Sequence, residues 1–207
     1  MLQFYRMDSA KIPSRRYINE QELMLDGFRL GKKIYDSGFR PDYIVGIWRG
    51  GSAVGIVVQE CLQYFGVDTD HIPIRTSYEG MQSYPEMIKN ANQIRVHGLE
   101  YLVNRLEANH RLLLVDDVYS SGFSIQAVIQ KLKRKLRQNM PDTIRVAAVW
   151  HRPVEGRPSP DYCVNQTNEW LVLPYELSGL SLDEIKKHKP WAGSILKTLK
   201  SDLVRVK

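Results

Sequence analysis

Two adjacent carboxylates, Asp116 and Asp117, follow four apolar residues in the run LLLVDDVYSSGFS, Leu112 to Ser124. Charged side chains at the end of a buried strand are unfavourable unless a ligand, a metal ion or water satisfies them. Ser120, Ser121, Gly122 and Ser124 come next, a hydroxyl-rich turn predicted to open a helix. Such a turn offers successive backbone N–H groups, hydroxyl donors and the positive end of a helix dipole, and glycine admits a ligand close to the backbone. Carboxylates beside an anion-binding turn can hold the hydroxyls of a sugar next to its phosphate. The same residues also suit a plainer arrangement, an acidic strand–loop–helix corner with a serine as the helix cap.

Other chemistries lack their motifs. The segment GFRLGKK (27–33) is one residue short of a P-loop between its glycines, ends in Lys, and falls inside a predicted helix. No GxGxxG follows a strand, and HExxH and GxSxG are absent. His71, His97, His110, His151 and His188 have no partner at metal-ligand spacing, so surface or structural roles are expected for them. Cys61 and Cys163 sit in apolar runs outside any CxxC pair and are expected to be buried thiols without a disulfide.

The elements that must position the acidic pair follow from periodicity. Asn19 and Glu22 have capping-box spacing, and Leu23, Gly27, Leu30 and Ile34 recur at helical intervals up to Gly38, which predicts a helix over 19–37. DYIVGIW (42–48) reads as a strand, Arg49, Gly50 and Gly51 as a turn, and AVGIVVQECLQYF as a helix. Then come a strand at 71–78, a helix at 98–110, a strand at 111–115, a helix from Ser124 to Asn139 and a strand at 143–150. Apolar strands alternating with helices imply an α/β fold with a parallel sheet flanked by helices, whose ligands bind beyond the carboxyl ends of the strands. The long stretch between Tyr78 and Gly98 has no clear periodicity and reads as a mobile flap over a site or as a surface excursion.

The 207 residues, 43% hydrophobic and 25% charged, suit one domain over 1–207: an N-terminal helix (1–38), an α/β core (39–152), and a small hood with a basic tail (153–207). No run approaches the roughly 18 apolar residues of a membrane span, and no secretory leader opens the chain, so a cytoplasmic protein without a membrane partner is expected. The formal charge of +6 favours an anionic partner, either nucleic acid or a phosphorylated metabolite.

The run LLLVDDVYSSGFS resembles the phosphoribosyl-pyrophosphate (PRPP) signature of the type I phosphoribosyltransferases. IVGIWRGG (44–51) is similar to the loop with which that family grips pyrophosphate, where the bond before the Arg is often cis. RTSY (75–78), with Ser77 and Tyr78 at its end, resembles the start of the catalytic flap, and the segment from Ala148 to Glu176 resembles the base-binding end of bacterial xanthine-guanine and hypoxanthine enzymes. The resemblance implies a Rossmann-like core with a hood formed by the chain ends, and a homodimer or higher homo-oligomer. It assigns the ribose hydroxyls to Asp116 and Asp117, the 5-phosphate to Ser120, Ser121, Gly122, Phe123 and Ser124, and pyrophosphate to Arg49, Gly50 and Gly51. Trp170 would stack on the base, the Leu171 backbone would accept from its edge, and Arg152 would donate to a 6-oxo group. Magnesium is the implied cofactor, held by Asp117 and, at a second position, Glu176.

The implied reaction is transfer of phosphoribosyl from PRPP to hypoxanthine, guanine or xanthine, a purine-salvage step, with Asp116, Asp117 and Ser120 as the catalytic positions. Ser120 departs from the purine pattern, which places an Asp there to exchange a proton with the base; a neutral serine is no ordinary base near pH 7. Orotate-type relatives also lack that acid, so a phosphoribosyltransferase for a non-purine base is one alternative. Another is a catalytically weak PRPP-binding regulator of nucleic acid, for which KLKRKLR (131–137) has five cations in seven residues. On a helix those charges spread over the solvent face, and no nucleic-acid motif joins them, so a nucleic-acid partner is not expected.

Overall fold

A computed structural model describes residues 14–78 and 94–203. In chain order its elements are β1 (Arg15–Tyr17), α1 (Glu20–Asp36), β2 (Tyr43–Trp48), α2 (Gly50–Tyr64), β3 (Asp70–Tyr78), β4 (Ile94–His97), α3 (Glu100–Val103), β5 (Arg111–Tyr119) and α4 (Phe123–Leu136). A short 3₁₀ turn (Arg137–Asn139) precedes β6 (Thr143–His151), β7 (Tyr162–Gln166), β8 (Trp170–Val172), α5 (Leu182–His188) and α6 (Pro190–Leu203). The chain divides into two compact units, Met24–Asn168 and a second that joins Met1–Leu23 to Glu169–Lys207.

The larger unit carries a six-stranded sheet in the order β4-β3-β2-β5-β6-β7. All neighbours run parallel except β4, which pairs antiparallel with the end of β3. The apolar runs explain the arrangement: Ile44, Val45, Leu112, Leu113, Leu114 and Val115 are all fully buried, as strands covered on both faces must be. One core cluster joins Leu112 and Leu114 to Ile125, Val128 and Leu132, the buried stripe of α4. Gly27 and Gly31, the glycines of the rejected P-loop match, let α1 lie against α2: a Cβ on them would come within 2.8 Å of Val57 Cγ1 and 2.6 Å of Cys61 Cβ, respectively.

Several elements differ from the sequence reading. Strand β5 does not stop at Val115 but carries both aspartates inside it, because its ladder with β6 continues to Tyr119 opposite His151. Helix α2 begins at Gly50, so the two glycines are its first residues rather than a turn before it. The helix expected at 98–110 lasts only from Glu100 to Val103. Leu99, Leu102 and Leu106 are buried at helical spacing, yet Arg105 N donates to Leu102 O at 3.1 Å and Glu107 N donates to His110 Nδ1 at 2.9 Å, which turns the chain out of the helix. Of the stretch read as a flap, residues 79–93 lie outside the described residues, and 94–97 are strand rather than loop. Asn19 caps α1 through Glu22 N (2.8 Å), but the reciprocal arm of the box is not formed, since the Glu22 carboxylate pairs with Arg16 at 2.9 Å. Cys61 is buried and Cys163 only partly so, and both are free thiols.

The smaller unit contains a parallel pair, β1 with β8, and the helices α5 and α6. Lys189 is 3% exposed and donates to the carbonyls of Leu173 (2.6 Å) and Pro174 (2.8 Å), while burial pushes its ammonium pKa down. Ser181 and Glu184 form a capping box at the start of α5. The Glu184 carboxylate accepts from Ser181 N (2.8 Å), Tyr17 Oη (2.7 Å) and Arg15 Nη1 (2.6 Å), and these donors hold its pKa at about 2. A carboxyl depressed on folding stabilises the protein above its ordinary value of 4.5, and that contribution is lost as pH falls toward 2. Glu184→Gln is therefore expected to lower the melting temperature at pH 7 and to match the parent near pH 2; thermal melts at the two pH values check both.

Candidate functional site

In this sheet the chain moves from β2 to β3 on one side and then resumes with β5 on the other, so the order reverses between β2 and β5. A crevice at such a reversal is where open α/β sheets bind ligands. The two segments singled out for chemistry end at this place: β2 delivers Arg49, Gly50 and Gly51, and β5 delivers Asp116 and Asp117. A direct contact joins them. A Cβ on Gly51 would stand 3.0 Å from Asp116 Cα and 3.2 Å from Asp116 Oδ1, so only glycine lets the start of α2 lie against the acidic strand. The peptide bond between Trp48 and Arg49 is cis, as the resemblance implies.

Both helices that start here have N-cap residues whose side chains give no cap. Arg49 is the N-cap residue of α2 and Gly122 that of α4, and neither residue's side chain caps its helix. Glycine rather than serine thus stands at the N-cap position of α4. A helix N-terminus presents backbone N–H groups and the positive end of the helix dipole to an anion. Gly122 has φ +73°, and a Cβ there would meet the ring and hydroxyl of Tyr119, 2.8 Å from Cζ, so the turn is built for glycine alone. Ser120, Ser121 and Ser124 are each partly buried around it.

The acidic pair is held by the strand's own amides. Asp117 N donates to Asp116 Oδ1 at 3.0 Å and Val118 N donates to Asp117 Oδ1 at 2.8 Å. Burial and the neighbouring charge of Asp117 push the Asp116 carboxyl well above the usual carboxylate range. Perturbation of this kind marks groups placed for chemistry more often than for stability.

Beside the serine turn, Arg152 N donates to Tyr119 O at 2.8 Å, which sets Arg152 one residue past β6 and next to the loop. Phe123, the first residue of α4, is buried under the guanidinium of Arg157, 4.2 Å from the ring centroid. His151 was passed over as a lone histidine; its imidazole stands edge-on to Tyr119, and burial lowers its pKa. Only the pairing of two strand ends 32 positions apart, invisible to local spacing, brings it beside the loop. At the flap position Ser77 Oγ is hydrogen-bonded to His97 Nε2 at 3.0 Å, and Tyr78 pairs with Ile94. Trp170, Leu171 and Glu176 belong to the smaller unit. There Trp170 is 38% exposed, Leu171 is buried, and the Glu176 carboxylate accepts from Leu173 N at 3.3 Å.

Residues 16–178 match a family model described as the phosphoribosyl transferase domain. The chain belongs to the phosphoribosyltransferase family. It is accordingly a transferase enzyme, and its mostly parallel α/β sheet is that of the type I phosphoribosyltransferases. Among solved structures, the phosphoribosyltransferase chain is similar to a purine phosphoribosyltransferase from Pyrococcus horikoshii Ot3, at 23% identity and TM-score 0.59, over 81% of this chain and 97% of that one. A Helicobacter pylori xanthine-guanine-hypoxanthine phosphoribosyltransferase aligns at 16% identity and TM-score 0.58, over 84% and 100%. A hypothetical protein from Neisseria gonorrhoeae with bound ppGpp aligns at 16% identity and TM-score 0.63, over 88% and 99%. Comparison with curated protein sequences gives no significant match. No described helix of this phosphoribosyltransferase is long and apolar enough to cross a membrane.

Proposed function

We propose that this phosphoribosyltransferase moves the 5-phosphoribosyl group of PRPP onto a ring nitrogen of a 6-oxopurine, as a cytoplasmic, homo-oligomeric enzyme of purine salvage. The observation that carries the reading is the convergence of two helix starts and an acidic pair at one reversal point of the sheet. PRPP carries two anionic groups separated by a diol, and this arrangement supplies two anion positions and two carboxylates. In the transfer, the bond from the anomeric carbon to pyrophosphate oxygen breaks, a bond from that carbon to the base nitrogen forms, and the base gives its proton to solvent water. The amides of Arg49 to Gly51 would hold the departing pyrophosphate, and those of Ser120 to Ser124 the 5-phosphate. Asp116 and Asp117 would orient the ribose hydroxyls and favour the positive charge that develops on the sugar.

The acidic pair fits magnesium. Among the described residues no group of three or more His, Cys, Asp or Glu side chains could hold a metal ion by itself. Magnesium bound with a phosphorylated substrate needs only one or two carboxylates, and a cation at Asp117 would relieve the repulsion that raises the Asp116 carboxyl. When bound, the ion would neutralise charge on the pyrophosphate oxygens. Glu176 is the proposed carboxylate for a second ion.

For the base, the 6-oxopurine assignment draws on Arg152 beside the serine turn and on Trp170, whose exposure suits stacking better than a place in the core. The likeness to purine enzymes and to a protein described with ppGpp, a guanine nucleotide, points the same way. Pyrophosphate release from PRPP should be fastest with hypoxanthine, guanine or xanthine among a panel that includes adenine, uracil and orotate. Preference for orotate or uracil would move the assignment to a non-purine base, and no turnover with any base would leave a PRPP-binding regulator. Ser120→Asp should restore an acid at the proton-exchange position and raise kcat on a 6-oxopurine, by up to about 10²–10⁴-fold. An unchanged or lower rate with intact PRPP binding would contradict the role given to this position.

A further inference from the structure

A groove of about 570 Å³ lies between β4 and one face of α4. Its α4 wall is a single stripe: Phe123, Gln126, Ala127, Gln130, Lys131 and Arg134 follow one another at alternating steps of three residues and one, which places them on one helix face. From β4 the wall gains Arg95, with Ile94 and Val96 as apolar contacts. Among the described residues no acidic side chain lines the groove. Lys131 and Arg134 make no ion pair or hydrogen bond among the described residues. The basic run KLKRKLR, which phosphoribosyl transfer does not use, is thus divided: Lys133 and Lys135 are exposed and outside the groove, whereas Lys131 and Arg134 line it.

We propose that this groove binds a small polyphosphorylated ligand, either free polyphosphate or the phosphates of a nucleotide, at a site separate from the sheet reversal. Lys131 and Arg134, three residues apart on one helix face, can reach several phosphate oxygens at once, and arginine adds the forked geometry that phosphate favours. Gln126 and Gln130 add amide donors and acceptors along the same wall. The volume falls within the range of small-molecule pockets, roughly 300–1,000 Å³, and so suits a compact ligand. None of Arg49, Asp116, Asp117 and Ser120 lines the groove; Phe123 alone is shared with the serine turn. The groove does not depend on the base assignment above.

Isothermal titration of the full chain, with PRPP present in excess and no base, tests the proposal with tripolyphosphate and ATP as probes. One equivalent of either probe should bind, and the double variant Lys131→Glu/Arg134→Glu should weaken it about tenfold or more, while PRPP turnover stays unchanged. Equal affinity for the two probes identifies the phosphates as the ligand, and tighter ATP binding identifies a nucleotide; both support the site. Probe affinity unaffected by the double variant overturns it, as does binding of a single-stranded RNA oligomer with no binding of either probe. Turnover is assayed on the same samples, so loss of the transferase reading registers apart from loss of the groove.

Discussion

Asp116→Asn is expected to yield a more stable and less active protein. Asp116 Oδ1 accepts from Asp117 N at 3.0 Å, and an amide oxygen can take over that bond. The substitution removes a carboxyl whose folded-state pKa is raised above its ordinary value of 3.8 by burial and by the charge of Asp117. Below that value the group is protonated in folded and unfolded chains alike and costs nothing. As pH rises toward the folded pKa the unfolded chain loses its proton first, and a penalty on folding accumulates and then holds. The variant should therefore melt above the parent at pH 7 and level with it near pH 3. Losing one preorganised charge that favours the transition state should lower kcat by about 10²–10³-fold. A variant that melts lower than the parent at pH 7, or turns over as fast, would contradict the place given to Asp116.

Gly51→Ala should damage fold and activity together. The new methyl would press on Val115 O and stand 3.0 Å from Asp116 Cα, both backbone atoms of a central strand that cannot yield as a side-chain tip does. Overpacking of this kind costs about 1–3 kcal/mol, with a fall of about 2–4 °C in melting temperature for each kcal/mol. The displaced strand would carry the acidic pair away from the amides of α2, so PRPP binding should weaken beyond what the lost stability explains. Ser52→Ala is the matched control: the buried Ser52 Oγ has no hydrogen-bond partner among the described residues, and its removal should leave the melt within about 0.5 kcal/mol of the parent. Equal melts for Gly51→Ala and the parent would contradict the contact between the two motifs.

The sequence showed the alternation of apolar strands with helices because buried parallel strands must be apolar along their length, and β2, β5 and β6 begin within a residue of where that pattern starts. The carboxyl end of β5 was misplaced because aspartates look like a strand end by composition, whereas the ladder with β6 runs past them. Leu99, Leu102 and Leu106 have the spacing of a helix face, but their burial alone does not decide it when His110 takes the Glu107 amide. Strand β7 gave no signal: its five residues are only partly buried or exposed, and its place at the sheet edge depends on pairing with β6. Within the site, Asp116, Asp117 and Gly122 were legible because charge in an apolar strand and a glycine in a turn need a reason. The contact between Gly51 and Asp116 was not, since it joins residues 65 positions apart.

Magnesium-dependent binding of PRPP to the full chain, with Asp117→Asn as the comparison, tests the central claim most directly. One site is expected on the parent chain, weakened about tenfold or more by the substitution, with the melting temperature held. No binding of PRPP to the parent, or equal binding to both proteins, would contradict a phosphoribosyl site built from the acidic pair.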